Sequence, residues 1–151
     1  MSLEQWFQNG WLQRFDPTVA GIQRLIQVVD RDLHDAQTQG LSADGRFQHA
    51  YDAALQLCML VLKASGYAVR KGQGHHKYGI ESLRHTMGDR WSATADHIER
   101  CSRLRGHAIY EQVGVVSEED ATDLLQTAEQ LRTDVIVWLK ANHSNLAPAG
   151  L

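Results

Sequence analysis

The stretch AYDAALQLCMLVLKASGY, residues 50–67, decides how the rest of the chain must fold. Phe47, Ala50, Tyr51, Ala54, Leu57, Cys58, Val61 and Leu62 recur at three- and four-residue steps and make one face of a helix over about Asp44 to Ala64. Ala53, Leu55, Met59 and Leu60 widen that face until the helix is apolar nearly all round, so it needs helices on every side. Gly66 ends it.

The neighbours needed to cover it can be read on both sides. Upstream, Asp16-Pro17 reads as a helix start, with Asp capping free N–H groups and Pro at the first helical position. Val19, Ile22, Leu25, Ile26, Val29, Leu33 and Ala36 then form an apolar stripe up to Gly40. Leu3, Trp6, Phe7, Trp11 and Leu12 predict a short amphipathic helix over 3–12, packed on the bundle or on a partner. Downstream, Gly66, Gly72, Gly74 and Gly79 alternate with Arg70, Lys71, His75, His76 and Lys77, which reads as an exposed basic loop leading into a short helix from about Tyr78 to Met87. A polar helix follows over about Ser92 to Tyr110. Ser117 is an N-cap, and Glu118, Glu119 and Asp120 set negative charge against the helix dipole. Leu124, Ala128, Leu131, Val135 and Trp138 then supply an antiparallel seam, ending near Asn142 with a loose tail over 143–151. Val113–Val116 is the one strand-like stretch. The expectation is an all-α, up-and-down bundle of four to five helices in a single domain over 1–151.

Composition narrows the class. The chain has 151 residues, 43% hydrophobic and 22% charged, which suits one ordinary globular domain rather than a disordered chain. Two cysteines exclude a disulfide scaffold, and Cys58 in its apolar run reads as a buried thiol. The opening residues lack the order of a signal peptide, and no apolar run approaches the ~20 residues that span a bilayer, so the expectation is a soluble cytoplasmic protein without a membrane partner. The net charge of −3 argues against a general nucleic-acid binder. The charge is uneven, however: residues 67–107 carry eight Lys/Arg against four acids, and five of the eight histidines, while the remainder stands at −7. Such a split suits a local anion-binding surface, or equally a set of solvated side chains spread over several helix faces.

Candidate chemistry concentrates on the polar helix. His75-His76 are adjacent and point apart on regular structure, and no His-x-x-x-His pair occurs, so no metal and no cofactor is expected. Gly72-Gln73-Gly74 lacks the preceding strand and the Gly-Lys-Ser/Thr of a phosphate loop. Cys101 beside Arg100 could be an activated thiol or inert packing. Arg100, Arg103 and His107 fall on one helical stripe, with Arg105 off it. Guanidinium groups with fixed charge and forked donors suit phosphate. Alternatively, Arg100 and Arg103 pair with Glu99, Asp96 or acids of the last helix. Gly106 either starts helix unwinding or admits a close neighbour to the backbone.

The run Arg105-Gly106-His107-Ala108-Ile109-Tyr110, then Val115-Val116-Ser117-Glu118-Glu119-Asp120-Ala121 and a long amphipathic helix, resembles the HEPN superfamily (higher eukaryotes and prokaryotes nucleotide-binding domain). So does the earlier order of an apolar helix ending Leu62-Lys63-Ala64-Ser65-Gly66-Tyr67, then Gly74-His75-His76 and a short helix. The resemblance spans about residues 17 to 140. It implies a small helical bundle, often dimeric, that is either an RNase of toxin–antitoxin, CRISPR or other defence systems or an inactive RNA- or partner-binding module. The family's catalytic motif is Arg and His with four to six intervening positions, the first usually polar. Aligned on Arg105, this chain has Gly106 in the polar position and Tyr110 in place of His; Arg100 and His107 also satisfy the outer spacing. A Tyr hydroxyl, ordinarily titrating near 10, is a poor base at neutral pH but can donate to phosphate.

Three functions follow as expectations. The first is a non-catalytic HEPN-like RNA- or nucleotide-binding homodimer in which Arg100, Arg103, Arg105, His107 and Tyr110 line a shared basic cleft. The second is a metal-independent endoribonuclease with His107 for acid–base chemistry and Arg100 or Arg105 stabilising charge. The third is a regulatory module whose partner is a cognate antitoxin such as a small nucleotidyltransferase, contacted through Trp6, Phe7 and Trp11.

Overall fold

The computed structural model describes residues 1–72, 74–110 and 114–151, with the side chains of 107–110 outside that description. It is an all-α bundle built around the apolar helix. That helix, α3 (Ala43–Ala64), buries Phe47, Tyr51, Leu57, Leu60 and Leu62 completely and packs between α2 (Val19–Asp35) and α7 (Glu118–Asn142). A further helix, α6 (Ser92–Tyr110), closes another side. Ser42 caps α3, its Oγ accepting from Gly45 N at 3.0 Å. Ser117 and Asp120 cap α7 reciprocally, each side chain accepting the other's backbone N–H at 3.0 Å. Arg132 of α7 donates to both carboxylate oxygens of Asp30 on α2, and Arg46 of α3 donates to Glu118 and Thr122 at the start of α7.

Several local expectations are corrected. The cap of α2 is Thr18, whose Oγ1 accepts from Gly21 N at 3.0 Å; Asp16-Pro17 lies outside the helix. The α7 seam ends on buried Leu139 rather than Trp138, because a straight helix turns 3.6 residues per turn and drifts from a strict heptad. The expected helix over 3–12 divides into α1 (Leu3–Gln8), a turn at Gly10 with φ 80°, and strand β1 (Leu12–Arg14). Its partner is β2 (Tyr67–Val69), inside the stretch expected to be a loop: the strands run antiparallel, Leu12 opposite Val69 and Arg14 opposite Tyr67. Three-residue strands are too short to show a period of two, so only the tertiary fold reveals them. Of the Val113–Val116 stretch, Val113 lies outside the described residues and 114–116 form no strand.

The short helix is two: α4 (His75–Glu81) and α5 (Leu83–Thr86), joined at fully buried Ser82, whose hydroxyl donates to Gly79 O at 2.7 Å. The aromatic N-terminus packs here. Trp6, 7% exposed, meets Tyr78 and His85 edge-on at 5.7 and 4.9 Å, and Trp11 stacks on Tyr78 at 5.1 Å. The tail is not loose either: Ser144–Leu146 form a turn of 3-10 helix that sends Leu146 into the core, and Lys140 donates to the Leu151 carbonyl. No helix among the described residues is long and apolar enough to cross a membrane.

Candidate functional site

Polar groups from three helices meet where α3, α4 and α6 converge. One turn of α3 carries Gln48, Tyr51 and Asp52 on the side facing α6, which answers with Ser102 and Arg105, spaced three apart and so on one face. Between them α4 inserts His76. The Tyr51 hydroxyl lies 3.0 Å from His76 Nδ1 and 3.1 Å from Ser102 Oγ. Arg105 Nε donates to Gln48 Oε1 at 3.1 Å, and Gln48 Nε2 donates in turn to Asp52 Oδ1 at 2.9 Å. The Arg105 guanidinium also stands 5.2 Å from the Tyr51 ring centre, a cation–π distance. Gln48 therefore separates the guanidinium from the Asp52 carboxylate, leaving Arg105 a neutral partner on this side.

Protonation follows from burial and charge. Burial lowers the pKa of His76 below the usual histidine value, and the positive charge of Arg105 and then of His75 lowers it further. Burial raises Tyr51, against the opposing hydrogen bond from Ser102 and the charge of Arg105. At neutral pH the cluster thus holds a neutral imidazole, a protonated phenol, a serine hydroxyl and one fixed positive charge. The phenol has a single proton, so it either donates to Nδ1 and accepts from Ser102, or accepts from Nδ1–H and donates to Ser102. That arrangement can pass a proton along its length. Burial also raises Asp52, and the Asp32 charge adds to the effect.

The three arginines expected to line one cleft, Arg100 and Arg103 from a shared stripe and Arg105 from off it, separate onto three surfaces. Arg103 is largely exposed and pairs with Glu99 one turn back on its own helix. Arg100 faces α7, in a groove with His97, Asp120 and Asp123. Arg105 alone reaches the α3–α4 cluster. Arg84 in the same segment is likewise paired, bonding Glu81 and Asp96. The side chains of His107 and Tyr110 lie outside the described residues. Among the described residues, nothing stands within 4 Å of where a Cβ on Gly106 would lie. The Cys101 thiol is buried and pushed up to about 11 by desolvation, and Cys58 to about 12, so both read as packing rather than as nucleophiles.

His75 and His76 indeed take different partners: His75 Nδ1 lies 3.3 Å from Arg70 O, while His76 turns to Tyr51. Sequence reasoning missed Tyr51, Gln48, Ser102 and His76 as a group. Its one available signal was polar atoms at Gln48, Tyr51 and Asp52, at steps of three and four, in the most apolar helix of the chain. It also missed Asp32, Asp35 and His49, whose ligand atoms all lie within 4.8 Å of one another across α2 and α3. Comparison with known proteins finds no matching family model, no matching curated protein and no matching solved structure.

Proposed function

We propose that this chain is a HEPN-like RNA- or nucleotide-binding module, of the kind found in toxin–antitoxin or defence systems, whose phosphate contact is Arg105 in the Tyr51–His76–Ser102 cluster. The observation that carries the reading is the guanidinium held by a neutral amide, beside the half-buried His76 imidazole and Ser102 hydroxyl. This replaces a clustered-arginine cleft with a single-guanidinium site, since Arg103 has Glu99 as its partner and Arg100 faces acids. The test is a salt titration of single-stranded RNA binding. The wild type is expected to bind at low salt, with affinity falling as salt rises, and Arg105→Ala to weaken binding about tenfold or more while Arg103→Ala leaves it near wild type. No binding at low salt, or binding untouched by Arg105→Ala, overturns the reading.

A second reading, metal-independent RNA cleavage, draws support from the depressed pKa of His76, a base that is neutral at physiological pH beside Arg105. It differs from the sequence expectation in using His76 alongside or instead of His107. Expression of wild type, His76→Ala and His107→Ala in cells tests it: toxicity with RNA degradation lost in His76→Ala supports cleavage through that imidazole, and equal growth with intact RNA in all three rejects it.

A further inference from the structure

Asp32 is the one charged residue among those described that is fully buried, at 5% exposure. It lies on the apolar stripe of α2, one turn from Val29 and from Ala36, where a hydrophobic side chain would be the unremarkable choice. A carboxylate taken out of water needs donors on both oxygens. Its Oδ1 accepts from Arg31 at 3.3 Å, a side chain that is itself 65% exposed. Its Oδ2, which has no donor among the described residues, is not one of the orphaned buried atoms and keeps an opening to solvent. The space beside it is occupied by further ligand-type groups: Asp35, one turn along α2, and His49, across the helix interface on α3, both half-buried. Asp52, one turn along α3, also feels the charge of Asp32. Among the described residues, the only other partners of the two carboxylates are exposed side chains of α2, Arg31 on Asp32 and His34, whose Nδ1 lies 3.6 Å from Asp35 Oδ1, while the His49 imidazole joins the pair from α3.

We infer that Asp32, Asp35 and His49 form a binding site for one divalent first-row transition ion, with Zn2+ as the best match to the donor set. Two carboxylate oxygens and one ring nitrogen favour such an ion over Mg2+ or Ca2+, which prefer oxygen alone. Three protein ligands leave a coordination position open to water, as in sites that exchange ligands rather than closed structural ones. The donors now stand within 4.8 Å of one another, and side-chain rotation by roughly an ångström brings them to the spacing of ligands bound at ~2 Å. Asp32 supplies the rigid buried wall, while Asp35 and His49, nearer the surface, give the ion its way in. The site shares no ligand with the Arg105 cluster, and the proposal stands whether or not the chain binds RNA.

The test is calorimetric titration of the EDTA-stripped full chain with ZnCl2, and with MgCl2 for comparison. Because Asp32 is buried, the variants chosen are the half-exposed Asp35→Asn and His49→Ala, checked for helicity by circular dichroism. His75→Gln controls for scavenging by the exposed histidine pair. One equivalent of Zn2+ is expected for wild type and for His75→Gln, with a rise in melting temperature on loading. Asp35→Asn and His49→Ala should each weaken binding about tenfold or more and lose that rise. No Zn2+ uptake by wild type, uptake unchanged in both variants, or uptake abolished by His75→Gln alone would overturn the assignment.

Discussion

The Tyr51 phenol lies 3.0 Å from His76 Nδ1, and this contact joins the most buried helix of the bundle to a short helix more than twenty residues further along. It makes a fully buried tyrosine the hub of the candidate site. The same oxygen meets Ser102, so three helices share one hydroxyl.

Tyr51→Phe preserves the ring and deletes that oxygen. Two partners, His76 Nδ1 and Ser102 Oγ, lose a bond in a half-buried setting. A loss of about 1–3 kcal/mol is expected by urea denaturation, the range for stranding a buried polar partner. A change smaller than 0.5 kcal/mol, by the same principle, would show that the hydroxyl contributes nothing net.

His76, His85 and His97 all titrate below the ordinary histidine value, with burial the first cause in each. Protons then bind the unfolded chain more readily than the folded one. The stability these groups contribute is fully present above about pH 6.5, the unfolded value, and is lost as pH falls through their lower folded values. Denaturation midpoints should decline between pH 7 and pH 5, and the decline should flatten in a variant carrying Gln at all three positions. Equal pH dependence in the two proteins would contradict this assignment.

Gly79 faces α3 so closely that a Cβ would stand 2.7 Å from Met59 Sδ. Gly79→Ala should cost about 1–3 kcal/mol through overpacking, softened by the flexibility of the methionine. Combining it with Met59→Val should recover part of that loss. An undiminished loss in the double variant would place the strain elsewhere.

Two ion pairs separate by environment. Arg84, 21% exposed, bonds both Glu81 and Asp96, whereas Arg103, 63% exposed, has one partner on its own helix. Arg103→Ala should change stability by less than about 0.5 kcal/mol, and Arg84→Ala by about 1–2 kcal/mol, since only Arg84, from a partly desolvated position, ties its segment to carboxylates of α4 and α6 through one nitrogen. Thermal denaturation of both variants measures the contrast; equal effects would refute it.

Both thiols should resist alkylation in the folded protein. With Cys58 at about 12 and Cys101 at about 11, little thiolate exists at pH 8, and burial denies access besides. Iodoacetamide labelling followed by mass spectrometry should find both cysteines unmodified until denaturant is added.

The bundle was legible because its signals are local. The all-round apolar surface of residues 44–64, Ser117 at a helix start, and the four- and three-residue steps of α7 each act within one turn of their own helix, and the extents of α3 and α7 follow from them. Thr18 overrode Asp16 as a cap because its side chain, not that of Asp16, reaches the free N–H groups. The strands at Leu12–Arg14 and Tyr67–Val69 escaped because each exists only through its partner more than fifty residues away. The candidate site escaped for the same reason. Helical spacing could state that Arg105 leaves the Arg100–Arg103 stripe, but not which helix would stand on its side or that Gln48 and Tyr51 would receive it. Linear order determines which side chains share a face, because 3.6 residues per turn is a property of the backbone; the packing of α2, α3, α4 and α6 decided which faces meet, because burying apolar surface selects among arrangements without regard to the distance along the chain.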